Sequence, residues 1–473
     1  MGNAERQAWD FNTIKEFDDD GGVSGYGRGP VIIGGIRFFC TGSSLLAHGT
    51  RNNYISAGDF YQTSLGEVVL DTGSVLAAGM SLAGAAGSKI DNVNLKWYED
   101  SASTVEVVNS GGSGATINLT YNLAAARAAL GGAPSLLVPV YVYDYTLINS
   151  IIIRLSMGDA TFANNYSYSY GVSNVGGLNL KKNGWHLISV GSSDWVGAGT
   201  VDWGNQTINA VRISFLNASG ANNAKIAIDK VRINNRAKAK ILLMTDGTYT
   251  EQWDVNRKLL NALNLRATFS VTEGEQNVPG RMTSNQIFQL ADEGNAFVPR
   301  NTIGFNSMNA DQCIANAKKA QDFIKSFLGS IGEMGSKFFT FNQGQYFAAG
   351  GITGDMTVVN RMSSELGIVG ARTTEATNSP GYMILGAGAY PPNIMVAPII
   401  GNWAGNTIAA LRSNIDTAID RGAAIVYFNH RAQNIAGSIE STELVRSIYE
   451  YVALKKSQGL IDDVTWPEFY YGA

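Results

Sequence analysis

The chain has 473 residues, enough for two to four domains that each bury a core. A formal net charge of −4, with only 16% charged residues, leaves no electrostatic footprint for nucleic acid or for an anionic membrane surface. No apolar run reaches the roughly 18–20 residues that cross a bilayer, so no membrane span is expected.

The first twenty residues are polar and acidic, not basic and then apolar, which is not the pattern of a secretory leader. With 54 glycines and abundant Ala, Asn, Ser and Thr, the composition reads as a β-rich extracellular or virion protein. The two cysteines, Cys40 and Cys313, fall in different segments and are expected as two separate buried thiols, with a disulfide between them as the alternative.

Residues 1–87 carry short apolar pieces separated by glycines, as expected of a small β or attachment region. Their acidic run at residues 17–22 lacks the spaced oxygen ligands of a calcium loop and reads as a solvated turn. Residues 88–237 turn to many short alternating runs with turn residues between them, the pattern of an all-β sandwich. Tyr141, Tyr143, Tyr145, Tyr166, Tyr168, Tyr170, Trp185, Trp195 and Trp203 fall here, and each is a candidate for stacking on a sugar ring or for plain packing. His186, beside Trp185, is expected to be structural.

In residues 238–473 the period changes. Apolar runs at 241–244, 267–271, 296–298, 338–341, 367–369, 394–397 and 424–428 alternate with helical stretches at 253–264, 284–293, 310–327, 356–366, 407–421 and 441–456. Such alternation predicts parallel strands joined by helical crossovers, as a β/α barrel or open sheet. In a barrel the working residues follow the C-terminal ends of the strands. Those positions are Asp246, Glu273, Asn301, Gln343, Arg372, Trp403 and His430, and several of them are expected only to cap helices or line a wet mouth.

The order of five segments in this half resembles the NodB-type polysaccharide deacetylases. ILLMTDGTYTEQW is similar to the family's first strand with its Asp-Asp-Gly turn, and LRATFSV to its second strand. LADEGNAFVPRNTIGF stands where the family has His-x-x-x-His, KFFTFNQGQ where it has Arg-Pro-Pro-Tyr-Gly, and IVYFNHR where its last strand carries a histidine. The preceding stretches PVYVYDYTLINSIIIRLS, NGWHLISV, INAVRISF and KIAIDKVRIN resemble jelly-roll modules of the carbohydrate-binding type. Together the resemblances imply a multidomain chain: an N-terminal β region (1–87), a jelly-roll-like β-sandwich (88–237) and a distorted β/α barrel (238–473).

The family's chemistry removes an acetyl group from a sugar. A divalent ion held by one Asp and two His polarises the carbonyl, a second Asp is the base, and a separate His protonates the leaving group. Mapped onto that pattern, Asp246 keeps the metal Asp and His430 the general acid, both as vestiges. Thr245 replaces the base, Asn301 and Phe305 replace the two metal histidines, and Thr340 replaces the motif Arg. No histidine lies between His186 and His430, so no shift of alignment restores the ligand pair. No metal and no other cofactor is therefore expected, and Asp246 is expected to be an ordinary carboxylate hydrogen-bonded to Thr245 or Asn301.

The resemblance then implies a protein that recognises polysaccharide without cutting it, as in phage tailspike and tail-fibre proteins. Asn301, Gln343, Tyr346, Arg372 and Trp403 are the candidate glycan contacts. The expected partners are a host cell-surface polysaccharide and phage tail or baseplate proteins, in a homotrimer carried on the virion. The alternatives are an active deacetylase or esterase, a glycosidase using Asp246 and Glu273, and a purely structural tail component.

Overall fold

The computed structural model describes residues 79–95, 97, 103–127, 135–171, 183–233, 238–351, 355–374, 382–385, 394–397, 399–401, 407–432 and 441–471, with the backbone of three short strands before them. Those three, β1 (Pro30–Ile33), β2 (Ile36–Thr41) and β3 (Ser44–Ala47), form an antiparallel sheet in the order β1-β2-β3. The acidic run at 17–22, His48 and Trp403 lie outside the described residues.

The second unit is a β-sandwich. Its strands are β4 (Ser81–Gly84), β5 (Gly87–Asn92), β6 (Thr104–Asn109), β7 (Thr116–Arg127), β8 (Leu136–Val142), β9 (Ile148–Met157), β10 (Asn165–Gly171), β11 (Gly184–Val190), β12 (Val196–Ala198), β13 (Ile208–Asn217), β14 (Ala224–Ile228) and β15 (Arg232–Ile233). One antiparallel sheet runs β12-β10-β9-β13-β7-β4, and the other β11-β8-β14-β6-β5 with β15 added beside β8. The boundary drawn at residue 88 thus falls inside β5. Alternation produces the core, because successive side chains leave a strand on opposite faces. Ile151, Ile153, Leu155 and Met157 of β9 join Val105, Val107, Val138 and Val140 of the facing sheet in one buried cluster. His186 is buried there, its Nδ1 2.8 Å from the Tyr170 hydroxyl, which agrees with a structural role.

The third unit is α/β. Its parallel strands are β16 (Ala239–Thr245), β17 (Ala267–Val271), β18 (Ala296–Pro299), β19 (Phe338–Thr340), β20 (Gly370–Arg372), β22 (Ile399–Gly401), β23 (Ala423–Asn429) and β24 (Ile461–Asp463), with the short β21 (Met383–Ile384) antiparallel to β23. Hydrogen-bonded pairing runs β18-β17-β16-β23-β22 on one side and β19-β20 on the other. Single parallel bridges, Arg300 to Thr340 and Arg372 to Ala397, link the two arcs into a ring. The result is a distorted β/α barrel. All seven side chains of β16 are buried, as expected of a strand covered on both faces.

The crossovers use α1 (Arg257–Ala262), α2 (Ser284–Asp292), α3 (Ala310–Gly335), α4 (Thr357–Leu366), α5 (Ile408–Arg421), α6 (Thr442–Ser457) and the terminal α7 (Trp466–Tyr471). Thr283 with Gln286, and Asn309 with Gln312, close capping boxes on α2 and α3. The expected pattern lacks β21, β22, β24 and α7, and α3 runs past the expected end at 327 to Gly335 across a non-helical Gly329. The apolar run at 367–369 leads into β20, the run at 394–396 is a 3-10 turn, and the stretch begun at Trp253 opens with a π-helical turn over Gln252–Asn256. Cys313 is a free buried thiol whose Sγ approaches the Phe305 carbonyl at 3.6 Å, so it is not part of a disulfide.

Sandwich and barrel pack on each other. Leu137 and Leu187, from β8 and β11, belong to the barrel's main core cluster. Arg421, the last residue of α5, makes a two-pronged ion pair with Asp194 (Nε–Oδ2 2.9 Å, Nη2–Oδ1 2.8 Å), and Ser189 Oγ donates to the Arg421 carbonyl at 2.9 Å. Among the described residues no helix is long and apolar enough to cross a membrane.

Candidate binding site at the barrel mouth

Asp246 follows the last residue of β16, and its backbone N–H donates to the Asn429 carbonyl at the end of β23, 3.1 Å away. That bond fixes the carboxylate at the strands' C-terminal rim. Oδ1 accepts from Ser270 Oγ at 3.0 Å and from Arg372 Nη2 at 2.5 Å. Oδ2 lies 3.8 Å from His430 Nε2. The expected bonds from Asp246 to Thr245 or Asn301 are therefore replaced. Ser270, at the same end of the neighbouring β17, and Arg372 reach the carboxylate instead, because both project into the barrel at its level.

Arg372 ends β20 with its side chain at 0% exposure, and its guanidinium carbon sits 4.4 Å from the centre of the Phe428 ring. Burial pushes the Asp246 carboxyl up. The charges of Arg372, Arg300 and His430 and the hydrogen bond from Arg372 outweigh this and hold it below the ordinary carboxylate range. The pair is thus a buried carboxylate and guanidinium, enclosed on nearly all sides.

His430 follows β23, and its ring packs edge-on against Phe428 at a 4.7 Å centroid distance. It is the exposed member of the group, at 37% of its side-chain surface. The π-helical turn after β16 ties it to Asp246. Gln252 Nε2 donates both to the Asp246 carbonyl (2.9 Å) and to the His430 carbonyl (2.8 Å). A π-turn is a common device for aiming one residue into a site. Here it clamps the ends of two adjacent strands.

The other candidates divide. Asn301 is buried, with Oδ1 accepting from the Asn342 N–H at 2.8 Å and Nδ2 donating to the Ile303 carbonyl, so both ends of the amide hold loop backbone. Tyr346 is 4% exposed and packs on Phe341 and Phe347 in a subsidiary aromatic core that also takes in Phe305. Gln343 is exposed on the rim at φ +56, with its carbonyl accepting from Thr374 Oγ1 at 2.9 Å. The next residue needs to be glycine, since a Cβ on Gly344 would stand 2.0 Å from the same Thr374 oxygen. Glu273 pairs with Lys319 on the exterior at 2.6 Å, and both side chains are exposed. Asp246 is bound to Arg372 deep in the barrel, so the two carboxylates have different partners and different surroundings.

One contributor escaped the sequence reading. Arg300 follows β18, and its Nη2 donates to Asn342 Oδ1 at 2.9 Å. Arg300, Thr340 and Arg372 are paired in register across three neighbouring parallel strands, so their side chains leave the same face. Thr340, which stands at the resembled family's arginine position, has an arginine beside it on each neighbouring strand. The bridge between Arg300 and Thr340 is the signal, and it is a long-range pairing that no local pattern reveals.

A divalent ion does not fit these residues. A guanidinium already neutralises Asp246, Asn301 is spent on backbone and Phe305 is an apolar ring in a core. Among the described residues no three His, Cys, Asp or Glu side chains converge as a ligand set.

No protein-family model matches the sequence, and no curated protein matches it. Solved structures do show partial likeness. A family 11 carbohydrate-binding module of a cellulosomal cellulase of Clostridium thermocellum is 14% identical, over 37% of this chain and 96% of its own, at a TM-score of 0.26. A family 4 acetyl xylan esterase from Clostridium thermocellum, in complex with a cobalt ion, is 16% identical over 49% of this chain and 90% of its own, at 0.33. The catalytic domain of a peptidoglycan N-acetylglucosamine deacetylase from Eubacterium rectale is 14% identical over 49% and 90%, at 0.32. At these scores the likenesses add nothing to the strand order, which by itself defines an antiparallel sandwich joined to a parallel barrel.

Proposed function

We propose that the protein recognises a surface polysaccharide through the barrel mouth, without hydrolysing it, as a receptor-binding component of a phage tail. The observation that carries the reading is the Asp246–Arg372 pair. The residue that stands where the resembled family holds its metal is engaged by a guanidinium, and Thr245 offers no base. Neither polarisation of an acetyl carbonyl nor activation of water has an agent here. His430 and Gln343 remain on the rim as polar groups for a sugar chain.

The phage setting is supported by the resemblance in domain order and by the glycine-rich β segment at the start of the chain. Retention of bacterial capsular and O-antigen polysaccharides by the intact chain, followed by proton NMR and size-exclusion analysis of each bound polymer, tests the reading. Acetyl signals and chain length should be unchanged. Released acetate that disappears in His430→Ala would establish an esterase instead. Shortened chains that are spared by Glu273→Gln would establish a glycosidase.

A further inference from the structure

We infer that the barrel mouth takes an anion, the carboxylate of an acidic sugar, on Arg300 beside Arg372, where the resembled family takes a cation. The inference rests on the glycan reading above for the word sugar and on the site alone for the word anion. Two guanidinium groups, Arg300 and Arg372, lie in register on one face, and both act on the single carboxylate of Asp246. Asp246 compensates Arg372. Among the described residues Arg300 has an amide partner in Asn342 and no carboxylate partner. Counted over the described residues, the centre therefore carries one positive charge in excess.

Its unmet hydrogen-bonding capacity has the same sign. Among the described residues, Arg300 Nε, Arg372 Nε and Arg372 Nη1 are buried without a hydrogen-bond partner, and Thr340 Oγ1 between them has none either. Arg232, Arg266, Arg281, Arg412 and Arg421 each leave a single guanidinium nitrogen in the same state, but here two arginines bring three such donors to one face, and that grouping calls for a ligand. Guanidinium nitrogens donate and never accept, so the ligand must be an acceptor. A cation is excluded by charge. Water is excluded from Arg372, and a water beside the partly buried Arg300 would leave the excess charge unmatched. A monoanion meets both requirements, and a planar carboxylate suits guanidinium edges in particular.

Titration calorimetry of the intact chain with D-glucuronate and with D-glucose tests this. Glucuronate should bind at least tenfold more tightly than glucose. Arg300→Gln should weaken glucuronate at least tenfold, and Arg300→Lys should retain part of the affinity. Circular dichroism should show both variants folded, since Arg300 is only partly buried. Absence of saturable glucuronate binding, equal affinity for the two sugars, or unchanged affinity in Arg300→Gln would each overturn the anion site. Retention of neutral polysaccharide as strong as that of acidic polysaccharide would overturn it too, while leaving the glycan reading intact. Glucuronate binding lost in Arg300→Gln, with no polysaccharide retained, would uphold the anion site and remove the glycan reading.

Discussion

Asp246 and Arg372 illustrate how one buried pair decides what a barrel mouth can do. Neither charge is well placed alone, because water is excluded from both, and removing one partner from such a pair typically costs about 3–5 kcal/mol. Asp246→Asn should therefore lower the free energy of unfolding by about 3–5 kcal/mol in urea titration at pH 7, an uncharged amide leaving Arg372 unmatched. The sign of the pH effect follows from the depressed folded value of Asp246. Its contribution is complete above the unfolded carboxyl value of about 3.9 and falls away as pH drops from there through the folded value. The wild-type chain should lose stability steeply on acidification below about pH 4, and Asp246→Asn less steeply. A variant with an unaltered acid limb would place the dominant titrating group elsewhere. At this scale the sequence revealed Asp246, Arg372 and His430 as strand-end residues. It did not reveal the partner of Asp246, because Arg372 lies 126 residues away and meets it only when the ring closes.

Among the elements, α3 shows how tightly the barrel wall is drawn. Gly335 ends this helix against β18, and a Cβ built there would lie 1.6 Å from the Phe297 carbonyl oxygen. The obstacle is backbone, which cannot step aside as a side chain does. Gly335→Ala should destabilise the fold by about 3 kcal/mol or more, at the upper end of overpacking effects. A thermal midpoint within a degree of wild type would mean that helix and strand can part cheaply. The starts of α2 and α3 are legible to the residue, and the structure closes both with capping boxes at Thr283 and Asn309, whereas the end of α3 at Gly335 lies beyond the expected 327. Gly367 to Val369 are apolar enough to pass for strand, while in the structure Gly367 stops α4 at φ +65 and β20 begins three residues later, at Gly370. Apolar runs of three or four residues carry too little periodicity to place a strand to the residue.

For the whole molecule, the sandwich and the barrel behave as neighbours with a fixed contact. Arg421 is 4% exposed at its side chain and meets Asp194 with two hydrogen bonds, while Leu137 and Leu187 enter the barrel core. Arg421→Ala should separate a shared unfolding transition into two in scanning calorimetry, with a loss of about 3–5 kcal/mol at the contact. A single transition at the wild-type temperature would show that the apolar contact suffices. The change of period near residue 238 made the two units legible, since hydrophobic alternation of two and crossover rhythm are different signals. Their mutual contact was not, because Arg421 reads only as a basic helix end.

Assembly belongs to the same scale. Light scattering at several concentrations should give three chains per particle for a self-assembling tailspike, and a persistent monomer would count against one. Elemental analysis reaches the centre of the site most directly. After equilibration with zinc, cobalt or nickel near neutral pH and dialysis, the intact chain should hold no stoichiometric metal, because Arg372 occupies Asp246. About one tightly held ion per chain, lost in Asp246→Ala, would contradict that pairing and return the barrel to metal chemistry.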